Sequence, residues 1–256
     1  MLYIERIIES TPYGMSAPIK VVADDGKVYI VKFRKDNLAG KDRSITSEYI
    51  SYKLIEHFGF SIAPQKLALI MIDDIAMELA KSADISKESL GFFLDSEGTN
   101  IAISYLDNCE KAPKESITNK KFINEVRTLD NIVMNDDRTD ENTNILKDLH
   151  YHDRQYAIDW GQALESAMVY SDIKKGSISS MLMKYHNDNI VRRPGYIFSA
   201  FRSFASFDHK DIEAIIADIL QSMPDEWETH SCDSIVADII RARVQSKTVF
   251  TSPKRR

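Results

Sequence analysis

Over the first third of the chain, apolar and polar residues alternate with the period of strands. Residues 2–8 alternate loosely and end in the turn-rich Ser10-Thr11-Pro12-Tyr13-Gly14. Ile19–Ala23 reads as a second strand, Asp24-Asp25-Gly26-Lys27 as a hairpin signal, and 27–33, rich in Val, Tyr and Ile, as a third strand. The period then changes. With Ser44 as N-cap, Ile45, Tyr49, Tyr52 and Ile55 recur at helical spacing as far as His57, and Gly59 and Pro64 mark the end. Leu67–Ile72 and 101–106 read as two more strands, separated by a polar stretch, 82–100, that shows no clear period.

From about Asn119 the pattern is helical. Phe122, Val126, Leu129 and Val133 share one helix face, which runs into a polar loop at 135–143. Two short strands follow, 144–149 and 155–159, joined by a turn at 150–154. The rest reads as mostly helix, with 211–223 and 234–245 the clearest amphipathic segments. The sequence shows no internal repeat. This order predicts an α+β protein: a β-rich N-terminal lobe over 1–106 and a mainly helical C-terminal lobe over 107–256, forming one domain together.

Composition narrows the class. The chain has 256 residues, 43 % hydrophobic and 28 % charged, enough to bury a sizeable core. A formal net charge of −6 argues against a broad nucleic-acid-binding face. The basic end, Lys254-Arg255-Arg256 with Lys247 and Arg243 nearby, reads as a solvated terminus or, alternatively, a docking tail. Cys109 and Cys232 stand alone and far apart, so neither a zinc cluster nor a disulfide framework is indicated. There is no basic n-region followed by an apolar core at the start, and no window of 18 uninterrupted apolar residues. These features lead us to expect a cytoplasmic protein without a membrane partner.

The chemistry concentrates in Asn135-Asp136-Asp137-Arg138-Thr139-Asp140-Glu141-Asn142-Thr143-Asn144. A loop this polar, hung between an apolar helix and a hairpin, is costly to order unless its groups find partners or ions. Asp137 and Asn142 have a D-x-x-x-x-N spacing, and Ile158-Asp159-Trp160-Gly161 ends the second hairpin strand. Phosphoryl transfer needs one carboxylate at the attacking hydroxyl, with an amide and a second carboxylate holding magnesium against the phosphates. Asp137, Asn142 and Asp159 fit these roles in chain order. Upstream, Lys32 interrupts the apolar run Tyr29-Ile30-Val31-Lys32-Phe33, and Glu48 lies on the helix that follows. A strand lysine paired with a helix glutamate can aim an ammonium at the nucleotide phosphates.

The pattern strand-Lys32, helix-Glu48, Asn135-x-Asp137-Arg138-x-x-x-Asn142-x-Asn144, then Ile158-Asp159-x-Gly161, resembles the HipA-like kinases. Within them it is similar to the compact branch without the extra N-terminal domain of the HipA toxins. The likeness covers roughly residues 10–165. It implies a two-lobed protein-kinase-like fold and an ATP- and Mg2+-dependent Ser/Thr protein kinase. Such a kinase can phosphorylate itself and in some relatives acts as a toxin, with a protein substrate and a cognate regulator or antitoxin as partners. Carried over by position, Asp137 is catalytic with Lys32 and Asn142, while Asn142 and Asp159 bind the metal. Lys32, Glu48, Ser10, Thr11, Gly14, Ser16 and Tyr105 line the nucleotide. The phosphate-covering segment 10–17 departs from ordinary protein kinases in having only one glycine, Gly14. Its Ser10, Thr11 and Ser16 are either phosphate contacts or autophosphorylation targets. Trp160 stands where many relatives have a smaller or different ring.

Each of these residues also has a plainer reading. Lys32 alone would be a lysine snorkelling from an edge strand, and Glu48 a solvent-facing helix glutamate. The acidic loop alone would be a solvated turn. Arg138 reads as a structural partner for a loop carboxylate rather than a catalytic group, and Asn144 as a hydrogen-bonding brace. His150 and His152 read as part of a surface hairpin, with a metal site the alternative. Met181-Leu182-Met183 and Phe198, Phe201, Phe204 and Phe207 read as core. Two other functions use the same lobes: a lipid or small-molecule kinase, and an ATP-binding module that acts through a partner without catalysis.

Overall fold

A computed structural model of the protein describes residues 1–11, 17–34, 44–63, 66–133, 135, 137–138, 142–151, 153–164 and 209–227. The chain divides into two compact units: Met1–Tyr49 with Pro64–Asp107, and Ile50–Ala63 with Asn108–Arg256.

The first unit is built on a closed five-stranded barrel of β1 (Leu2–Ser10), β2 (Ile19–Ala23), β3 (Val28–Lys32), β4 (Leu67–Ile72) and β5 (Gly98–Ser104), in the order β1-β2-β3-β5-β4. The pairings are antiparallel except for β1 with β4, where Leu2 faces Ile70 and Tyr3 faces Met71 in parallel register. Register shifts between Ile4 and Arg6 and between Ile7 and Glu9 explain the loose alternation of β1, because each irregularity breaks the period of two. The β2–β3 hairpin turns at Gly26, whose φ of 74° suits a residue without Cβ, and Gly26 N–H donates to Ala23 O.

Alternation decides which residues enter the barrel. Ile19, Val21, Ala23, Tyr29, Val31, Phe33, Ile70, Ile72 and Ala102 point inward and form the core with Ile4, Ala76, Ala80 and Phe93. Lys32 lies on the opposite pleat from Val31 and Phe33, outside that core. Helix α1 spans Ser44–Phe58, and α2 (Asp74–Ser82) and α3 (Lys87–Leu94) supply Ala76, Ala80 and Phe93 to the barrel core. The polar stretch 82–100 therefore contains the end of α2, all of α3 and the start of β5. Side-chain caps start both helices: Asp73 accepts from Ala76 N–H at 2.9 Å, and Ser86 accepts from Ser89 N–H at 3.0 Å.

In the second unit, α4 (Lys120–Val133) buries Phe122, Val126, Leu129, Ile132 and Val133. A three-stranded sheet follows the order β6-β7-β8: β6 (Cys109–Lys111), β7 (Ile145–Asp148) and β8 (Gln155–Ala157). The β7–β8 connection folds on Asp148, whose Oδ1 accepts from the Tyr151 and His150 N–H groups at 2.9 and 2.8 Å, bonds that hold its carboxyl below the usual aspartate range. Helix α5 spans His209–Gln221. No helix among the described residues is long and apolar enough to cross a membrane. Gly14, Ser16, His152, Cys232, the methionine and phenylalanine runs, 234–245 and the basic end lie outside the described residues.

Candidate active site

Two sets of side chains form, one in each unit. In the first, Lys32 Nζ meets Glu48 Oε2 at 3.0 Å, with Glu48 fully buried and the Lys32 side chain 15 % exposed. The pair follows from two periodicities. Lys32 takes the outward pleat of β3, in register with Ile101 of β5, and Glu48 takes a buried position one turn into α1. A buried carboxylate is tolerated because a cation lies against it, so the pair is held by mutual need as much as by attraction.

Ser10 and Thr11, the first two residues of the segment 10–17, are already engaged. Ser10 Oγ accepts from Ser86 N–H at 2.8 Å, while Thr11 N–H and Oγ1 both donate to Pro18 O, at 2.9 and 3.1 Å. These bonds close the chain on itself at the base of 12–16. Tyr105 lies one residue beyond β5, which ends at Ser104 and not at 106, although its N–H still donates to Val28 O at 2.9 Å. Lys20 Nζ sits 3.8 Å above the Tyr105 ring and 3.4 Å from Glu9 Oε1. Burial disfavours the Lys20 charge, yet Tyr105 and Glu9 outweigh it and raise the pKa above the ordinary lysine value.

The second set gathers around the loop after α4. Asp137 Oδ2 accepts from Asn144 Nδ2 at 2.8 Å and from Asn142 Nδ2 at 3.3 Å, and Asn142 Nδ2 also lies 3.4 Å from Asp137 O. Asn142 Oδ1 accepts from Lys111 Nζ at 2.9 Å. The loop is anchored by Arg138, which donates to Asp130 Oδ2 through Nε at 2.8 Å and to Thr143 O and Asn144 O through one terminal nitrogen at 2.9 and 2.7 Å. Ile158 O lies 3.4 Å from both terminal nitrogens. A fixed planar fork can serve so many acceptors at once, whereas an ammonium cannot.

Asp130 is the centre of that anchor. Its Oδ1 also accepts from Trp160 Nε1 at 3.0 Å and from Asn135 Nδ2 at 3.1 Å. Trp160 is fully buried, stacks edge-on against Tyr52 at 5.4 Å, and has the Arg138 guanidinium 5.4 Å from its ring centroid. The larger ring at 160 is thus part of the scaffold beneath the loop. Asp159, between Ile158 and Trp160, has φ of 64°, and Asn144 has φ of 46°. Asp and Asn are the residues besides glycine that enter this left-handed region most readily. Ile158 N–H donates to Asn144 O at 2.9 Å and Leu164 N–H to Val133 O at 2.7 Å, fastening the Asp159 turn to the loop and to α4.

The structure thus brings Lys32 to Glu48, and Asp137 to Asn142 and Asn144, with Asp159 on a turn bonded to Asn144. Sequence spacing did not reveal Asp130 or Lys111. Asp130 sits beside Leu129 on a helix whose apolar face gives no hint that a carboxylate there is taken by Arg138. Lys111 belongs to a three-residue strand too short to leave a period. Among the described residues no three His, Cys, Asp or Glu side chains gather as a metal cluster. The Asn142 amide and the Asp159 carboxylate are oxygen donors of the kind a hard cation takes alongside water and phosphate oxygens.

A family model described as HipA-like kinase matches residues 4–250. No curated protein sequence matches the chain. Among solved structures, the Golgi casein kinase aligns with TM-score 0.52 and 11 % identity, covering 95 % of this chain and 73 % of that one. A second structure of the Golgi casein kinase, with Mn/ADP bound, aligns with TM-score 0.50 and 12 % identity over 100 % of this chain and 78 % of that one. At such identities the likeness shows a shared kinase-like α+β fold.

Proposed function

The chain belongs to the HipA-like kinase family, and from that premise we propose that it is an ATP-dependent Ser/Thr protein kinase. The observation that carries this reading is the Asp137 carboxylate held by the amides of Asn142 and Asn144 on a loop locked by Arg138 and Asp130. Rigid placement is what phosphoryl transfer asks of a protein, since the reaction needs position and charge more than covalent help.

We assign the α- and β-phosphates of ATP to Lys32, oriented by Glu48. The segment 10–17 covers the phosphates, with Ser10, Thr11, Gly14 and Ser16 as its contacts, and Tyr105 borders the adenine. Asn142 and Asp159 would hold Mg2+, which when bound neutralises charge on the phosphate oxygens. The Mn/ADP found with the Golgi casein kinase supports a nucleotide and a divalent ion as the pair. Both amide donors reach Oδ2 of Asp137, so Oδ1 is the oxygen we assign to the acceptor hydroxyl. That hydroxyl oxygen forms a bond to the γ-phosphorus as the bond to the β,γ-bridging oxygen breaks. ADP leaves, and the hydroxyl proton passes to the Asp137 carboxylate.

Incubating the full chain with Mg-ATP and recording its intact mass tests this directly. The wild type is expected to gain phosphate-sized increments on a serine or threonine, while Asp137→Ala and Asp159→Ala remain folded and lose orders of magnitude in rate. Phosphate transfer retained in both variants would remove the assignment. ATP binding without transfer to itself or any peptide panel would instead favour a nucleotide-binding module acting through a protein partner.

A further inference from the structure

Asn142 is gripped at both ends of its amide. Its Nδ2 meets Asp137 Oδ2 at 3.3 Å and Asp137 O at 3.4 Å, while its Oδ1 meets the Lys111 ammonium at 2.9 Å. A flipped amide would set donor against donor on one side and acceptor against acceptor on the other, so this network fixes the orientation. Lys111 is held in place by its strand. It pairs with Leu146 of β7, the next residue Ala112 donates to Ile145 O at 2.8 Å, and Thr143 Oγ1 returns to Ala112 O at 2.8 Å. One strand pairing at Lys111 and two hydrogen bonds at Ala112 thus tie this strand to Leu146, Ile145 and Thr143, close to Asn144 in the chain.

The inference rests on the metal assignment above, which gives Asn142 Oδ1 to a divalent cation. Lys111 directs a second cation at the same oxygen. Two positive charges that share one neutral amide oxygen repel each other, and the amide has no net charge to offset them. We propose that Lys111 competes with the divalent ion for Asn142 Oδ1, so that the metal binds weakly by itself. Nucleotide phosphates supply the negative charge that lets both cations stay, with Lys111 moved from the amide oxygen to a phosphate oxygen. Metal binding is thereby made conditional on nucleotide, and Lys111 acts as a positioning residue for the metal site.

The test is Mn2+ binding to the full chain, followed by the electron paramagnetic resonance of the free ion, first without nucleotide and then with ADP. Lys111→Met and Lys111→Gln are expected to bind Mn2+ without nucleotide more tightly than wild type, on the order of fivefold for one unit charge removed at contact range. Lys147→Met serves as the charge control: it removes the same charge from the same sheet, where Lys147 pairs with Glu110 at 2.8 Å, and is expected to leave Mn2+ affinity unchanged. With ADP present the advantage of the Lys111 variants should vanish or reverse. No gain in either Lys111 variant, or an equal gain in Lys147→Met, overturns the competition. Asn142→Ala and Asp159→Ala separate the two levels of the reading. If both bind Mn2+ as wild type does, the ion sits elsewhere and the metal assignment falls with the competition. If both lose Mn2+ while the Lys111 variants gain nothing, the competition alone fails.

Discussion

At the scale of single residues, the Lys32–Glu48 pair separates stability from function. Glu48 is fully buried against Lys32, so removing the lysine takes the paired cation away from a buried carboxylate. Lys32→Met is therefore expected to lower unfolding free energy by roughly 3–5 kcal/mol, read from denaturant midpoints. The double variant Lys32→Met with Glu48→Leu removes both charges and should recover much of that loss without recovering nucleotide binding. If the double variant binds ATP as wild type does, the ion pair is purely structural. The sequence showed both residue types at suitable places, since Lys32 breaks an apolar run. It did not show Asp130, because a helix carboxylate acquires its role only from the guanidinium, indole and amide that fold onto it. Arg138 was legible as a loop-ordering group, but its carboxylate was in α4 rather than in the loop.

At the scale of elements, legibility followed length and period. Strand β2 alternated cleanly and β4 was an unbroken apolar run, so the ends of both could be read from the chain. The short helix α3 lies in the polar stretch 82–100, only the end of α2 reaches it, and a side-chain cap starts each of them. Asp73→Ala removes the acceptor for Ala76 N–H and is expected to cost about 1 kcal/mol of stability while leaving phosphate transfer unchanged. A cost near zero would show that burial of Ala76 and Ala80 alone sets the start of α2. The β2–β3 hairpin adds a pH prediction. Burial, together with the hydrogen bond from Tyr29 Oη to Asp25 Oδ2 at 2.8 Å, pushes the Tyr29 phenol up from 10.0 to about 12. Below pH 10 the phenol is protonated whether the chain is folded or not. Between 10 and about 12 only the unfolded chain releases that proton, so stability contributed by Tyr29 falls as pH rises through this window. Phenolate absorbance should show a step near 12 that disappears in Tyr29→Phe, and that variant should lose less stability across the window. Titration of every tyrosine near the ordinary phenol value would contradict this. Burial also raises Tyr156, so a smaller late step is expected to survive in the variant.

At the scale of the whole molecule, the chain is not cut once into two pieces. Residues 50–63 group with the second unit although the sequence on both sides of them groups with the first, and the division falls inside α1, between Glu48 and Tyr52. A boundary read along a sequence cannot express that interleaving, because it depends on which strands close the barrel. The net charge of −6 opposes an anionic nucleotide at long range, so ATP affinity has to come from local groups such as Lys32 and from the cation that accompanies it. Thermal unfolding reads this globally, since a ligand that binds only the folded chain stabilises it by about 2.7 kcal/mol at a hundred times its Kd. Mg-ATP is expected to raise the unfolding temperature of the wild type by several degrees, and chelation of the metal to remove part of that rise. Asp159→Ala should keep the chelator-insensitive part and lose the rest, whereas Lys32→Met should lose most of both. If Asp159→Ala and wild type respond alike to chelation, the divalent ion does not use Asp159. If Lys32→Met keeps the full rise, the phosphates are held by other residues. The two variants thus assign the nucleotide and the metal to separate units of the chain by measurements that need no knowledge of the acceptor.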